Sequence, residues 1–265
     1  MKTGTSSKPP PRPDGVVRLV SWNVAQGLPK KFELLEVLEP DIAIIPEASD
    51  ESSLLRAGID RFSSAVWIGR NPNKGLLALG FGDWKIKMIY KEWDQRLEWI
   101  LPIEAKGPTE FKMLAVWSQN ARAKVEYPSE RYKNPRGHLL EAYPDLLRSG
   151  CVLMGDFNHH PRWDKGDKSR DFSANVEGYR EADLNSAWHS FHDVELGDRN
   201  AEPATLWWRW QQDQPYMIDY CFLPNDWLPF IRNAWIGGYD EYGAVDPRSD
   251  HAPMVVDVSL EAIRS

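Results

Sequence analysis

Cysteine is scarce in this 265-residue chain, with only Cys151 and Cys221, which excludes a disulfide-stapled miniprotein. Both lie inside apolar runs, CVLM and YCFL, where a buried thiol in a reducing, cytoplasmic setting is expected. No run of eighteen apolar residues occurs, so no membrane span is expected. The N-terminal MKTGTSSKPPPRPDG has no apolar stretch; it reads as a short disordered, proline-rich arm over 1–15 and not as a secretory signal. Positive charge is not in excess either. The formal net charge of −7 excludes a histone-like coat, and a polyanionic substrate must be met by a local basic surface or by metal ions.

What is present is a globular balance, 42% hydrophobic and 27% charged residues, with no repeat or long linker after the arm. One domain over 16–265 is expected. Runs rich in Val, Ile and aromatics predict strands at 16–20, 41–45, 63–68, 75–81, 86–90, 111–117, 151–154, 216–223 and 253–258. Helical spacing is confined to Phe32, Leu35 and Leu38, to Leu140, Tyr143 and Leu147, and to Leu184, Ala187, Trp188 and Phe191, the last set preceded by Asp183 as a cap. Many strands interleaved with few helices predict an α/β protein of two packed sheets with helices outside.

Polar residues of one kind recur where these runs end. Ser21-Trp22-Asn23 closes the first, Pro46-Glu47 the second, and Gly155-Asp156-Phe157-Asn158 follows CVLM. Asp219 interrupts MIDYCF, and Asp250-His251 precedes the last strand. A carboxylate inside an apolar strand is costly unless paired, protonated or metal-bound, and His251 is a suitable partner for Asp219. Glu47, Asp156 and Asp250 with Asn23 and Asn158 offer the oxygen set a hard divalent cation such as Mg²⁺ prefers, and no thiolate joins them. A metallophosphoesterase would want a second, histidine-bearing cluster of the GNHD kind, which the sequence lacks.

The ordered set WN at 22–23, PE at 46–47, GDFN at 155–158, IDY at 218–220 and SDH at 249–251 resembles the endonuclease/exonuclease/phosphatase superfamily, which includes DNase I and the exonuclease III type of AP endonuclease. The resemblance spans Val16 to Val258. It implies a four-layer α/β/β/α sandwich of two mixed sheets flanked by helices, and a Mg²⁺-dependent hydrolase of phosphate esters, with Mn²⁺ as a substitute. By the same resemblance Glu47 is the main metal ligand with Asn23 beside it and Asp250 completing the site. Asp156 aligns or deprotonates the attacking water, Asn158 hydrogen-bonds the phosphate, and His251 contacts a phosphate oxygen with Asp219 behind it. Nucleic acid is the implied substrate. A phosphomonoesterase or lipid-headgroup phosphodiesterase, and a non-catalytic binding module, are the alternatives.

The chain departs from the family pattern in three places. Pro46 stands where an amide commonly precedes the metal-binding Glu, and Ala25 replaces an Asp that the AP endonucleases carry after WNV. Trp117 stands where relatives place a His or Tyr, and an indole does not titrate. Trp117, Asn120, Arg122, His159 and Trp208 are the candidate substrate contacts. His159 and His160 read as loop residues near the site, at most one of them touching substrate. The charge-mixed 161–170 loop and the modestly basic 122–136 segment both read by default as solvated. If residues 205–210 continue as a strand, Trp208 and Trp210 share one face and Trp207 takes the other.

Overall fold

The computed structural model describes residues 9–119, 134–244 and 246–264. Its strands are β1 (Val16–Ser21), β2 (Ile42–Ala48), β3 (Ser64–Asn71), β4 (Lys74–Gly80), β5 (Lys85–Met88), β6 (Ile100–Lys106), β7 (Glu110–Trp117), β8 (Val152–Asp156), β9 (Leu184–Ser186), β10 (Leu206–Trp207), β11 (Pro215–Tyr216), β12 (Asp219–Pro224), β13 (Ile231–Ile236) and β14 (Met254–Ser259). The helices are α1 (Leu28–Glu36), α2 (Glu51–Arg56), α3 (Pro135–Ala142), α4 (Pro144–Arg148), α5 (Phe172–Glu181), α6 (Ala187–His192), α7 (Tyr239–Tyr242) and α8 (Glu261–Arg264).

The strands form two six-stranded mixed sheets, β13-β14-β1-β2-β4-β3 and β5-β6-β7-β8-β12-β9, with β10-β11 as a separate hairpin. The sheets pack face to face and helices flank them, the sandwich that the sequence implies. Every residue of β1, β8, β12 and β14 is buried. Strands covered on both faces read as mainly apolar runs, which is why these were legible, and the charges inside β1 and β14, Arg18 and Asp257, are buried as a pair at 2.7 Å. Edge strand β5 instead alternates exposed and buried along Lys-Ile-Lys-Met.

The topology brings the polar islands to one end. Strand β2 runs parallel to β1, so Asn23 and Glu47 leave the first sheet on the same side. Antiparallel pairing of Ser21 with Met254 sets the start of β14 beside the end of β1. In the second sheet Asp219, the first residue of β12, pairs with Asp156, the last of β8. Gly155 fits a close approach between β7 and β8: its φ is +146°, and a Cβ there would lie 1.9 Å from the Val116 carbonyl oxygen.

Several local expectations need correction. The 216–223 run is split, because Tyr216 pairs with Leu206 in the hairpin while β12 begins only at Asp219. The third helical stripe starts late: Leu184–Ser186 pairs with β12 as β9, and the helix opens at Ala187. Strand β6 was obscured by Pro102 and β13 by a bulge between Ile231 and Asn233, since proline and irregular register both blunt a strand pattern. Helix α5 carries Asn175 and Gly178, weak formers, yet Asp164 accepts hydrogen bonds from Phe172 N at 2.7 Å and Ser173 N at 3.0 Å, so the 161–170 loop is partly a cap. The described part of the N-terminal arm is tied down, with Arg12 donating to Asp41 at 2.7 Å and buried Arg18 donating to the Pro10 carbonyl at 3.1 Å. Both cysteines are buried and free.

Candidate active site

Two hydrogen bonds carry the site across the gap between the sheets. Asn23 Nδ2, just past β1, donates to Asp156 Oδ2 of β8 at 3.0 Å. His251 Nδ1, just before β14, lies 2.9 Å from Asp219 Oδ2 of β12, within the range expected for an oriented imidazole. Asn158 folds back on Asp156, donating from its backbone N at 2.8 Å and from Nδ2 at 3.2 Å. It does so in the left-handed region, φ +52°, which Asn tolerates better than most residues.

The backbone around these groups is fastened by side chains from elsewhere. Trp22, fully buried, donates its indole N–H to the His251 carbonyl at 2.9 Å, and Ser249 Oγ donates to the Asn23 carbonyl at 2.7 Å. Thr205 Oγ1 accepts from the backbone N of Ile218 at 2.9 Å and of Asp219 at 3.0 Å. Lys31 of α1, buried, donates to the carbonyls of Val24 and Gln26 at 2.6 Å each. That clamp holds a turn in which Ala25 and Gln26 both take positive φ. Ala25 places no carboxylate on this turn, and the Lys31 side chain lies against its carbonyls.

Electrostatics at the cluster follow from burial. Burial, and then the Asp219 charge, push the Asp156 carboxyl up to about 7. For His251 burial alone would favour the neutral ring, but Asp219, Asp156 and Asp250 outweigh it and hold the imidazole up at about 10. His251 is thus an imidazolium at neutral pH, with Nδ1–H given to Asp219 and Nε2–H left to donate. Burial also raises the Asp250 carboxyl.

One oxygen of Asp156, one of Asp219 and a ring nitrogen of His251 lie within 4.8 Å of one another. Asp219 Oδ1 is buried without a hydrogen-bond partner among the described residues, as an acceptor awaiting a cation or donor would be. These atoms could hold a divalent cation, and with His251 hydrogen-bonded to Asp219 they can equally form a charge clamp. Glu47 stands apart from the trio. It sits at a bulge between Pro46 and Ala48 with φ +56°, and its Oε2 pairs with Lys74 Nζ at 3.0 Å. A left-handed Glu at a bulge is strained, and such strain concentrates at functional sites because it re-aims a side chain.

The candidate substrate contacts fare unequally. Trp117 is 2% exposed, packs edge-on against Trp99 at 4.9 Å, and pairs in register with Asp156. Beside it opens a cavity of about 360 Å³ lined by Arg70, Arg96, Trp99, Trp117 and Gln119 among others. Asn120 and Arg122 lie outside the described residues. Arg136, at the end of the basic segment, is buried and hydrogen-bonded to Ser118 Oγ and the Phe157 carbonyl at 3.3 Å each, so it is not a solvated charge. His159 donates Nδ1–H to the His160 carbonyl at 3.1 Å, and burial with the Arg136 charge pushes its ring down to about 4. It is therefore a neutral ring near the site. His160 is buried and turned away, 2.7 Å from Glu202.

Trp208 and Trp210 are exposed and Trp207 is buried, but not for the reason strand alternation suggests. Residues 208–210 form a turn in which Arg209 and Trp210 both have positive φ, 55° and 59°. The guanidinium carbons of Arg209 and Arg248 lie 5.7 and 5.1 Å from the Trp208 and Trp210 rings. Trp207 N donates to the Asp250 carbonyl at 2.7 Å, which hangs this aromatic tip beside the cluster. Lys74, Lys31 and Ser249 were missed as members of the site. Ser249 lay in view inside SDH, whereas Lys74 sits in a turn-like NPNKG stretch with no pattern to flag it.

No protein-family model matches the sequence, and no curated protein matches it. Solved structures do. The 3′ phosphatase NExo from Neisseria, bound to product DNA hairpin, aligns with 91% of this chain and 99% of its own at 16% identity and a TM-score of 0.64. The AP endonuclease LMAP from Leishmania major aligns over 93% of this chain and 89% of its own at 12% identity and a TM-score of 0.65. The catalytic domain of APE2 from Xenopus laevis aligns over 92% of each chain at 14% identity and a TM-score of 0.62. The chain has the α/β sandwich fold of these exonuclease III and AP endonuclease-type structures.

Proposed function

We propose that the protein is a divalent-metal-dependent nuclease that hydrolyses nucleic-acid phosphodiester bonds by direct attack of water on phosphorus. Mg²⁺ is the expected ion, with Mn²⁺ as its substitute. The observation that carries this reading is the cross-sheet cluster itself, Asn23 to Asp156 at 3.0 Å and Asp219 to His251 at 2.9 Å, with Glu47 and Asp250 close enough to act on each other's charge. A packed sandwich has no structural need for this many carboxylates at one end, and their burial is costly without a cation.

In this reading Glu47, Asn23 and Asp250 hold the ion, whose chemistry is to polarise the phosphate and stabilise its developing charge. Asp156, anchored by Asn23 and Asn158, orients the attacking water and takes its proton; a carboxyl held up at about 7 is matched to that task near neutral pH. Asn158 Nδ2 donates to a phosphate oxygen. His251, kept cationic by Asp219, donates Nε2–H to another and neutralises charge as the phosphorane forms. The ester P–O bond opposite the attacking water breaks, and the leaving oxygen takes its proton from solvent water, since Trp117 gives the pocket shape and no proton. Trp208 stacks on a base, a contact worth about 1 to 3 kcal/mol. His159 lines the approach. The two buried free thiols are in keeping with a cytoplasmic enzyme, and no described helix is long and apolar enough to cross a membrane.

The test is turnover of plasmid, single-stranded and hairpin oligonucleotides beside small phosphate esters, with and without EDTA. EDTA-sensitive cleavage of the nucleic acids is expected. Turnover of small esters alone would select the phosphomonoesterase reading, and no hydrolysis of either class would leave a binding module.

A further inference from the structure

Glu47 already has a cation. Lys74 Nζ, reaching in from the start of β4, lies 3.0 Å from Glu47 Oε2 and 5.6 Å from the centroid of the Trp117 ring. Its side chain is 39% exposed and that of Glu47 23%, so the pair sits at the mouth of the site. An ordinary surface ion pair has one partner and water on its other side, and contributes little. This one differs because its other side is an indole face buried against the catalytic strand end, at a distance where ammonium and ring attract. In this one position the ammonium contacts both the Glu47 carboxylate and the Trp117 ring.

Only one of them is compatible with an ion on Glu47. A divalent cation would take the lone pairs that Lys74 now uses and would repel a neighbouring ammonium. The chain also lacks the carboxylate at Ala25, and Lys31 adds fixed positive charge nearby, held by the carbonyls of Val24 and Gln26 at 2.6 Å.

We propose that Lys74 is a mobile counter-ion of the site, which neutralises Glu47 while no metal is bound and, once displaced onto the Trp117 face, contacts a phosphate oxygen of the substrate. The inference rests on the metal-dependent nuclease reading. What moves is a charge and not a proton, so it asks for no change in the protonation of Lys74. Trp117 then has a role that a His or Tyr would not fill as well, since the larger indole face is the stronger seat for an ammonium.

The test is calorimetric titration of wild type, Lys74→Gln, Lys74→Arg and Glu47→Gln with Mn²⁺ and Mg²⁺, followed by oligonucleotide cleavage at saturating metal. Wild type should bind one ion in a manner lost in Glu47→Gln. Lys74→Gln should bind that ion about tenfold tighter, because both competition and repulsion are removed, yet cleave with kcat/KM lower by about tenfold. Lys74→Arg should return both toward wild type. Unchanged metal affinity in Lys74→Gln would overturn the proposal, and tighter binding with undiminished kcat/KM would overturn the phosphate contact. Failure of wild type to bind any divalent ion would sink this inference and the nuclease reading together. Metal binding without nucleic-acid cleavage would sink only the substrate class, and the affinity of Lys74→Gln would still decide the counter-ion role.

Discussion

Asp219 and His251 meet across two different sheets, Asp219 Oδ2 on β12 of one and His251 Nδ1 ahead of β14 in the other, 2.9 Å apart. Thr205 fixes the Asp219 backbone and Ser249 accepts from the His251 N–H at 3.1 Å, so neither partner is free to drift. Asp219→Asn should lower kcat by about a hundredfold, the scale of losing one transition-state charge contact. His251→Ala should do at least as much with the far-ultraviolet circular dichroism unchanged. Wild-type turnover in either variant would remove the pair from the mechanism.

Metal dependence follows from Glu47 and Asp156. Glu47→Gln and Asp156→Asn should each reduce kcat by at least about a hundredfold, roughly 3 kcal/mol of transition-state stabilisation. Steady-state kinetics over a metal titration checks this; full activity of both variants in EDTA would refute it.

The metal-free protein should lose stability as pH rises. Asp156 is held up at about 7 against an ordinary 3.8, so its contribution is fully present below 3.8 and lost as pH rises through 7. His251, held up at about 10 against 6.5, contributes below 6.5 and its share is lost as pH rises through 10. Thermal melts in EDTA from pH 4 to 10 should show two successive falls, each on the order of 2 to 4 kcal/mol. Asp156→Asn should abolish the lower one and His251→Gln the upper.

Glu202 is predicted to position the loop that carries Asn158. It accepts from His160 at 2.7 Å and from His189 of α6 at 2.9 Å, and Ser186 Oγ lies 2.7 Å from His189 Nδ1. Burial opposes the charge of Glu202, yet the hydrogen bonds from both histidines hold its carboxyl down at about 2. Its stabilisation is present above the ordinary 4.5 and lost as pH falls through 2. Glu202→Gln should cost about 2 to 3 kcal/mol in urea melts and lower kcat by severalfold. An unchanged melt would show that the network is incidental.

One metal position is expected, not two. Ala25 removes a carboxylate and Lys31 and Lys74 bring positive charge, so the remaining acids cannot balance two dications about 4 Å apart. Trp117 removes a titratable side chain. Calorimetry should give a stoichiometry near one, and an abasic duplex should be cut no better than an intact one. Two occupied ions, or strong preference for the abasic duplex, would contradict this.

What the sequence by itself determined is the set of buried strands and the polar residues at their ends. Cys-Val-Leu-Met is buried and reads as a continuous apolar run, and Val-Val-Arg-Leu-Val reads as one broken only by Arg18, whose charge is paired with buried Asp257. Asn23, Glu47, Asp156 and His251 stood out because their residue types are costly beside such runs. Tertiary structure alone decided which of them touch. Asn23 reaches Asp156 over 133 positions and His251 reaches Asp219 over 32, each pair joining separate sheets. No periodicity encodes the distance between two packed sheets, because local patterns report only which face of an element is buried. The same holds for Lys74 on Glu47 and for Glu202 between two histidines. Lys74 opens β4 just after a turn and Glu202 sits in a loop, where sequence shows polarity and only the packed fold supplies a partner.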